Sequence, residues 1–172
     1  DDFPELGGDT TLEQCLKETN KIGFSGIEAG GKFPKNSNEL IPKLEKENLK
    51  LCSGWYGANL LKNTVKEEIL IMKDQLNLFK ECNAPCMVVA EVSGSIQGKV
   101  KIPLSKRPIL NTDEWKILYS KINEISKYMA DNGVPLAYHH HMGTVVQSQE
   151  DTERLIDNTS DTVKLLIDTG HM

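Results

Sequence analysis

The chain has 172 residues, a formal net charge of −5, 38% hydrophobic residues and 26% charged ones. That length suffices for one sizeable core of a globular protein, and the acidic balance disfavours a nucleic-acid partner, whose phosphates call for a basic face. The longest apolar runs, such as Met87–Ala90, are too short to span a bilayer. Residues 1 to 20 open acidic and polar with no signal-peptide pattern, so no membrane partner and a cytoplasmic location are expected. Cys82 and Cys86 are separated by three residues, not the two of the usual zinc or redox pair. Together with Cys15 and Cys52 they read as small core thiols of a reducing compartment.

Along the chain, helix and strand patterns alternate. Thr10 or Thr11 caps a helix running to about Asn20, with Leu12, Cys15 and Leu16 on one side, and Gly26–Gly30 reads as a short strand. Ser37 opens a second helix carrying Leu40, Ile41 and Leu44, and Leu49–Tyr56 follows as a strand. Asn63 or Thr64 caps a long helix with Val65, Ile69, Met72, Leu76 and Phe79 at helical spacing. Met87–Glu91 has the near-continuous apolar character of a strand buried on both faces. Residues 92 to 110, with Gly94, Gly98, Pro103 and Pro108, break the rhythm and read as a long loop that could cover a pocket or meet a neighbouring subunit of a homo-oligomer. Thr112 caps the next helix, which turns Trp115, Leu118, Ile122, Ile125 and Met129 inward, and Leu136–Tyr138 is a strand. Ser148 caps a helix with Leu155 and Ile156, and Val163–Ile167 is the last strand. Five alternations predict parallel strands with helical crossovers, either a doubly wound sheet or a (β/α) barrel. A barrel would need three more strands, so the chain is expected to be one domain truncated at both ends.

In both architectures ligands bind at the carboxyl ends of the strands. There the sequence sets Glu28 and Lys32 after the first strand, Trp55 and Tyr56 at the second, Glu91 and Gln97 at the third, His139–Thr144 at the fourth, and Asp168 and His171 at the fifth. All four histidines of the chain fall in the last two stretches. Alternation sets His139 and His141 on one face and His140 on the other, where a structural bond to backbone is expected. Trp55 and Tyr56 read equally as core or rim packing. Carboxylates and imidazoles together suit Mn²⁺, Co²⁺, Fe²⁺ or Zn²⁺, and the lack of a thiolate cluster argues against structural zinc.

Glu28-Ala-Gly-Gly-Lys-Phe-Pro34, the Trp55-Tyr56 strand end, Tyr138-His-His-His-Met-Gly-Thr144 and Asp168-Thr-Gly-His171 together resemble the inosose dehydratases, within the xylose-isomerase-like TIM barrels. The resemblance runs from about Phe3 to Met172. It implies an incomplete (β/α)8 barrel covering about strands 2 to 6. It implies a hydro-lyase of inositol catabolism that removes water from 2-keto-myo-inositol, a cyclic polyol ketone, to give a trihydroxycyclohexane-dione, with Mn²⁺ or Co²⁺ and with glutathione as a further cofactor. Asp168 matches the superfamily's strand-six metal ligand and His171 the neighbouring substrate-contacting histidine. The strand-five Glu ligand has no counterpart; His139 or His141 stands there, and His141 is taken with Asp168 as metal ligand. His139, His141, His171 and Glu91 are the candidate proton-handling residues. Glu28, Lys32, Gln97 and Thr144 would hold ring hydroxyls, and Trp55 would pack on the ring's C–H face. The rival readings are a metal-dependent sugar isomerase or epimerase, and a non-catalytic polyol-binding barrel.

Overall fold

A computed structural model of the chain describes residues 7–171; Phe3 and Met172, the bounds of the resemblance, lie outside them. Five helices alternate with five strands: α1 (Leu12–Lys21), β1 (Gly26–Ala29), α2 (Ser37–Lys46), β2 (Lys50–Ala58), α3 (Val65–Glu81), β3 (Met87–Glu91), α4 (Thr112–Asp131), β4 (Leu136–His139), α5 (Gln149–Asp157) and β5 (Val163–Leu166). The strands form one parallel sheet in the order β1-β2-β3-β4-β5. Each strand lies beside its predecessor in the chain. The order never reverses, which is the winding of a barrel and not of a doubly wound sheet.

The helices start and stop where local chemistry tells them to. Thr11, Asn36, Thr64, Asn111 and Ser148 each accept a hydrogen bond from a first-turn backbone N–H. One of these differs from expectation. Asn111, not Thr112, caps α4, because its longer side chain reaches both Asp113 N and Glu114 N while Glu114 returns a bond to the Asn111 N–H. Ser37 opens α2 as the sequence predicts, with Asn36 as its cap. Four helices end on a residue with positive φ, Gly23, Asn48, Asn83 or Gly133, which turns the chain straight into the next strand.

The main core fills the layer between sheet and helices. Leu16, Leu40, Met72, Phe79, Ile122 and Met129 from the helices meet Tyr56, Met87, Val89, Leu136 and Tyr138 from the strands. Val88, Ala90 and Ala137 alternate to the opposite, barrel-interior face, in register with Trp55. One irregularity decides which aromatic reaches which face. The β1–β2 register shifts between Ile27 and Glu28, which pair with Leu51 and Ser53, so Cys52 has no partner in β1. The extra residue inverts the alternation along β2. Leu51 and Tyr56 both pack in the helix-side core, and Trp55 is carried to the interior. Gly54 sits at a close approach: a Cβ there would lie 2.5 Å from the Phe79 ring.

Beneath the β2–α3 connection, the buried carboxylate of Glu68 accepts hydrogen bonds from Tyr56 Oη (2.6 Å), Asn63 Nδ2 (2.7 Å) and Asn59 N (3.2 Å). Lys121 of α4 donates to the carbonyls of Leu60 and Asn63 in the same connection. The segment that leaves β2 beside Trp55 is therefore held from two helices. Among the described residues, no helix is long and apolar enough to cross a membrane.

Candidate metal and active site

The site is built at the carboxyl ends of β4 and β5. His139 is the last residue of β4, Asp168 immediately precedes a single 3-10 turn after β5, and His171 is the last residue of that turn. Their donor atoms converge: His139 Nε2 lies 3.1 Å from His171 Nδ1 and 3.4 Å from Asp168 Oδ2, and His171 Nδ1 lies 3.9 Å from Asp168 Oδ2. The turn is held in place by His140, which points the other way. Its buried Nε2 accepts the Asp168 backbone N–H at 3.3 Å, and its carbonyl oxygen sits 3.3 Å from His171 Nδ1. Asp168 Oδ1 accepts the Gly170 N–H at 2.7 Å, which leaves Oδ2 for the imidazoles.

The electrostatics of the cluster follow from this crowding. Burial first, and then the neighbouring rings of His141 and His171, bring the His139 pKa down to about 4, with Asp168 pulling the other way. Its ring is therefore neutral near pH 7 and offers a lone pair. The Gly170 N–H, and then the nearby histidines, hold the Asp168 carboxyl below its ordinary range, so it is an anion there. Two imidazole nitrogens and one carboxylate oxygen thus lie within 4.8 Å of one another. Metal–ligand bonds of about 2.1 Å put adjacent donors about 3.0 Å apart in an octahedron and about 3.4 Å apart in a tetrahedron. The first two separations match these figures and the third, 3.9 Å, exceeds both, so the three donors would hold one divalent cation once they draw slightly inward and His171 Nδ1 gives up its contact with the His140 carbonyl.

His141, the expected second ligand, stands beside this group and is not among its three converging donors. It begins the turn after β4, and its Nδ1 lies 2.9 Å from the carbonyl oxygen of Met142. A carbonyl only accepts, so Nδ1 carries a hydrogen in this contact. The ring meets His171 edge-on at 4.1 Å. Trp55 closes the wall, edge-on to His139 at 5.6 Å and to His141 at 5.5 Å. Cavities of about 860 and 830 Å³ open on either side, both lined by Trp55, Gln97 and His141. Glu28 lines the first and His171 the second. Glu28 also accepts a hydrogen bond from Ser53 Oγ at 2.5 Å.

Three expected site residues are employed elsewhere. Glu91 is fully buried on the Met87 and Val89 face, toward the helices, where its carboxylate accepts the N–H groups of Leu60 (2.5 Å) and Ser93 (2.6 Å). It is an anchor for two loops and not a base in the cavity. The Thr144 hydroxyl is also fully buried and bonds the carbonyls of His141 (2.8 Å) and Val146 (3.1 Å), so it braces the turn and does not meet a ligand. Lys32 reaches back to the carbonyls of Gly7 and Thr10. For Glu91 and Thr144, a polar side chain near a strand end satisfies backbone groups that burial would otherwise strand. Of the residues that sequence reading missed, Arg107 has long-range partners that no local spacing announces, and Glu68 has partners across the β2–α3 connection.

Burial also pushes the Glu91 carboxyl above its ordinary range, against the pull of the N–H groups it accepts. The folded state then holds its proton more tightly than the unfolded chain. Its contribution is most favourable below the ordinary carboxylate range and declines as pH rises toward the raised value. Glu91→Gln is expected to flatten this part of the stability curve, read by urea denaturation between about pH 4 and pH 7. An unaltered slope would contradict it.

The family model of the xylose isomerase-like TIM barrels matches residues 16–172. The chain belongs to that family. It is 42% identical over 171 residues to the rhizopine catabolism protein MocC of Rhizobium meliloti, covering 99% of this chain and 53% of that protein. It is 38% identical over 174 residues to the inosose dehydratase of Geobacillus thermodenitrificans, covering 100% of this chain and 58% of that one. The chain thus spans little more than half the length of these relatives. Among solved structures, D-psicose 3-epimerase of Clostridium cellulolyticum, in complex with D-tagatose, superimposes with a TM-score of 0.70 at 16% identity, over 95% of this chain and 60% of that one. The five-stranded parallel sheet is therefore part of a xylose isomerase-like barrel.

Proposed function

We propose that the whole protein is a hydro-lyase that removes water from a cyclic polyol ketone, 2-keto-myo-inositol, and that these five strands are strands 2 to 6 of its barrel. The observation that carries the reading is the convergence of His139, Asp168 and His171 beside His141 and Trp55. The name of the 38%-identical relative, inosose dehydratase, supports the choice of reaction.

Loss of water next to a ketone needs the α-proton removed and the β-hydroxyl released with a proton. A divalent cation held by His139 Nε2, His171 Nδ1 and Asp168 Oδ2, with Mn²⁺ or Co²⁺ suited to that imidazole–carboxylate set, would polarise the ketone oxygen and acidify the adjacent C–H. The neutral His139 ring and the anionic Asp168 are in the protonation states that such a role requires. His141 takes the α-proton on Nε2: its Nδ1–H is held by the Met142 carbonyl, so the incoming proton leaves an imidazolium that the carbonyl steadies. That proton then returns to the departing hydroxyl, so one base serves both halves and the balance is one water released. Trp55 offers a flat apolar face to the C–H side of a polyol ring. Glu28 and Gln97, on the shared cavity wall, accept and donate hydrogen bonds to ring hydroxyls.

The test is turnover by the full-length protein of 2-keto-myo-inositol against free ketoses. The expected result is formation of the unsaturated or diketone product from the inositol ketone with the ketoses unaltered. Epimerisation of a ketose without loss of water would overturn the reading in favour of an isomerase.

A further inference from the structure

The connection between β3 and α4, residues 92–110, carries exposed Val100, Ile102, Leu104 and Ile109 and, beyond a single 3-10 turn at Leu104–Lys106, no regular structure. Yet it forms one wall of the second cavity, through Ile96, Gln97, Val100 and Leu104. A segment so poor in buried apolar side chains keeps a fixed shape only if something else ties it down.

Beyond the bonds of Val92 and Ser93 at its root, two ties end on the turn that bears His141. Near the start, Ile96 N and Ser95 Oγ donate to the Gly143 carbonyl, at 3.0 and 3.1 Å. Near the end stands Arg107. Its Nη1 donates to the carbonyls of Thr144 (3.3 Å) and Val145 (3.2 Å), and its Nη2 meets Asp151 Oδ2 at 2.8 Å. That same Asp151 oxygen accepts the N–H groups of Gln147 and Ser148 at the start of α5. The Arg107 side chain is 13% exposed. The Thr144–Val146 segment it grips is also the one that holds His141: His141 N donates to Val146 O at 3.0 Å, and Thr144 N and Oγ1 donate to His141 O. The guanidinium fork is the one side chain in the loop that binds the cavity wall, the histidine turn and a helix start at once, and its planar donors suit two carbonyls and a carboxylate where an ammonium would not.

We propose that Arg107 is a positioning residue for the reaction, setting the distance between Gln97 on the loop and His141 on the turn. This rests on the functional reading above as far as turnover is concerned; the geometry of the clamp does not. A misplacement of about 1 Å in a reacting group lowers rates by about 100-fold.

The experiment compares full-length wild type with Arg107→Ala and Arg107→Lys in three readouts: steady-state kinetics on 2-keto-myo-inositol, amide hydrogen exchange over residues 95–106 and 141–146, and rescue by added guanidinium. The expected results are a fall in kcat/KM of about 10- to 100-fold for alanine with most of it in kcat, faster exchange in both segments, and partial recovery of rate in millimolar guanidinium. Lysine, which keeps a charge beside Asp151 and guards against a misfolded alanine variant, is expected to show the same changes with smaller size. Faster exchange with wild-type kcat, or a rate loss that guanidinium leaves untouched while the melting temperature drops, would overturn the proposal and make Arg107 a stability residue. If wild type turns over no polyol ketone, the functional reading fails instead. Exchange over 141–146 then decides the clamp, and unchanged protection there in both variants overturns it.

Discussion

On the proposed function, Asp168→Asn in the full-length protein is expected to lower kcat/KM by about 10³-fold or more and to abolish tight divalent-cation binding. The substitution is informative because it separates two jobs of one side chain. Oδ1 accepts the Gly170 N–H and shapes the turn, a bond the amide oxygen of asparagine still makes. Oδ2 faces His139 and His171 and supplies the anionic donor, which asparagine lacks. The backbone N–H of residue 168 still meets His140 Nε2 in the variant. Fold and turn are therefore retained, and the losses appear in metal content and turnover. Metal analysis of the purified variant beside its kinetics reads this directly. Retention of both would show that the donor group at the ends of β4 and β5 does not carry the chemistry.

The second large effect is on stability. Glu68→Leu is expected to destabilise the folded protein by about 2–4 kcal/mol, because it strands one buried and two half-buried donors that now share one carboxylate, each loss being worth about 1–3 kcal/mol before water partly replaces it. The donors are Tyr56 Oη, Asn59 N and Asn63 Nδ2. Burial and the bond to Glu68 already raise the Tyr56 phenol far above its ordinary range, so it enters the network as a protonated donor at every working pH. A double substitution with Tyr56→Phe is expected to cost less than the two single ones added, since the phenol is then no longer left without an acceptor. Urea denaturation of the four proteins measures this. A loss under about 1 kcal/mol for Glu68→Leu would place the network on the surface side of the ledger of interactions.

What could be read along the chain was whatever obeys local periodicity. The five apolar runs and the helix caps at Thr11, Thr64 and Ser148 stand where spacing predicts them. The same holds for the parity that sends His140 away from His139. What could not be read depends on partners far off in sequence. The unpaired Cys52 inverts β2, so Trp55 reaches the interior and Tyr56 meets Glu68 on α3, and neither residue's own neighbours announce it. Glu91 closes a strand of apolar residues and invites a role in the cavity, yet its parity with Val89 carries it to the helix side. His139 and His141 share a face, and the choice between them turns on a strand ending at His139, a matter of backbone geometry that residue types do not encode. Arg107 sits in the loop that reads as least structured, and its three acceptors all lie at least 37 residues further on.

The barrel winding connects these particulars. A sheet ordered as the chain runs brings the ends of β4 and β5 side by side, so two histidines and one aspartate from stretches some thirty residues apart meet without any strained backbone. The helix-side core then has a mechanical role. Tyr138, fully buried and lodged against the Glu91 backbone, fixes the strand on which His139 ends. Stability and chemistry share the same strands but divide their two faces.

The most direct measurement is anomalous diffraction from crystals of the full-length protein grown with Mn²⁺. The account predicts one strong peak about 2.0–2.3 Å from His139 Nε2, His171 Nδ1 and Asp168 Oδ2 together. A peak that leaves out His139 and His171, or an ion bound instead at His141, would contradict it.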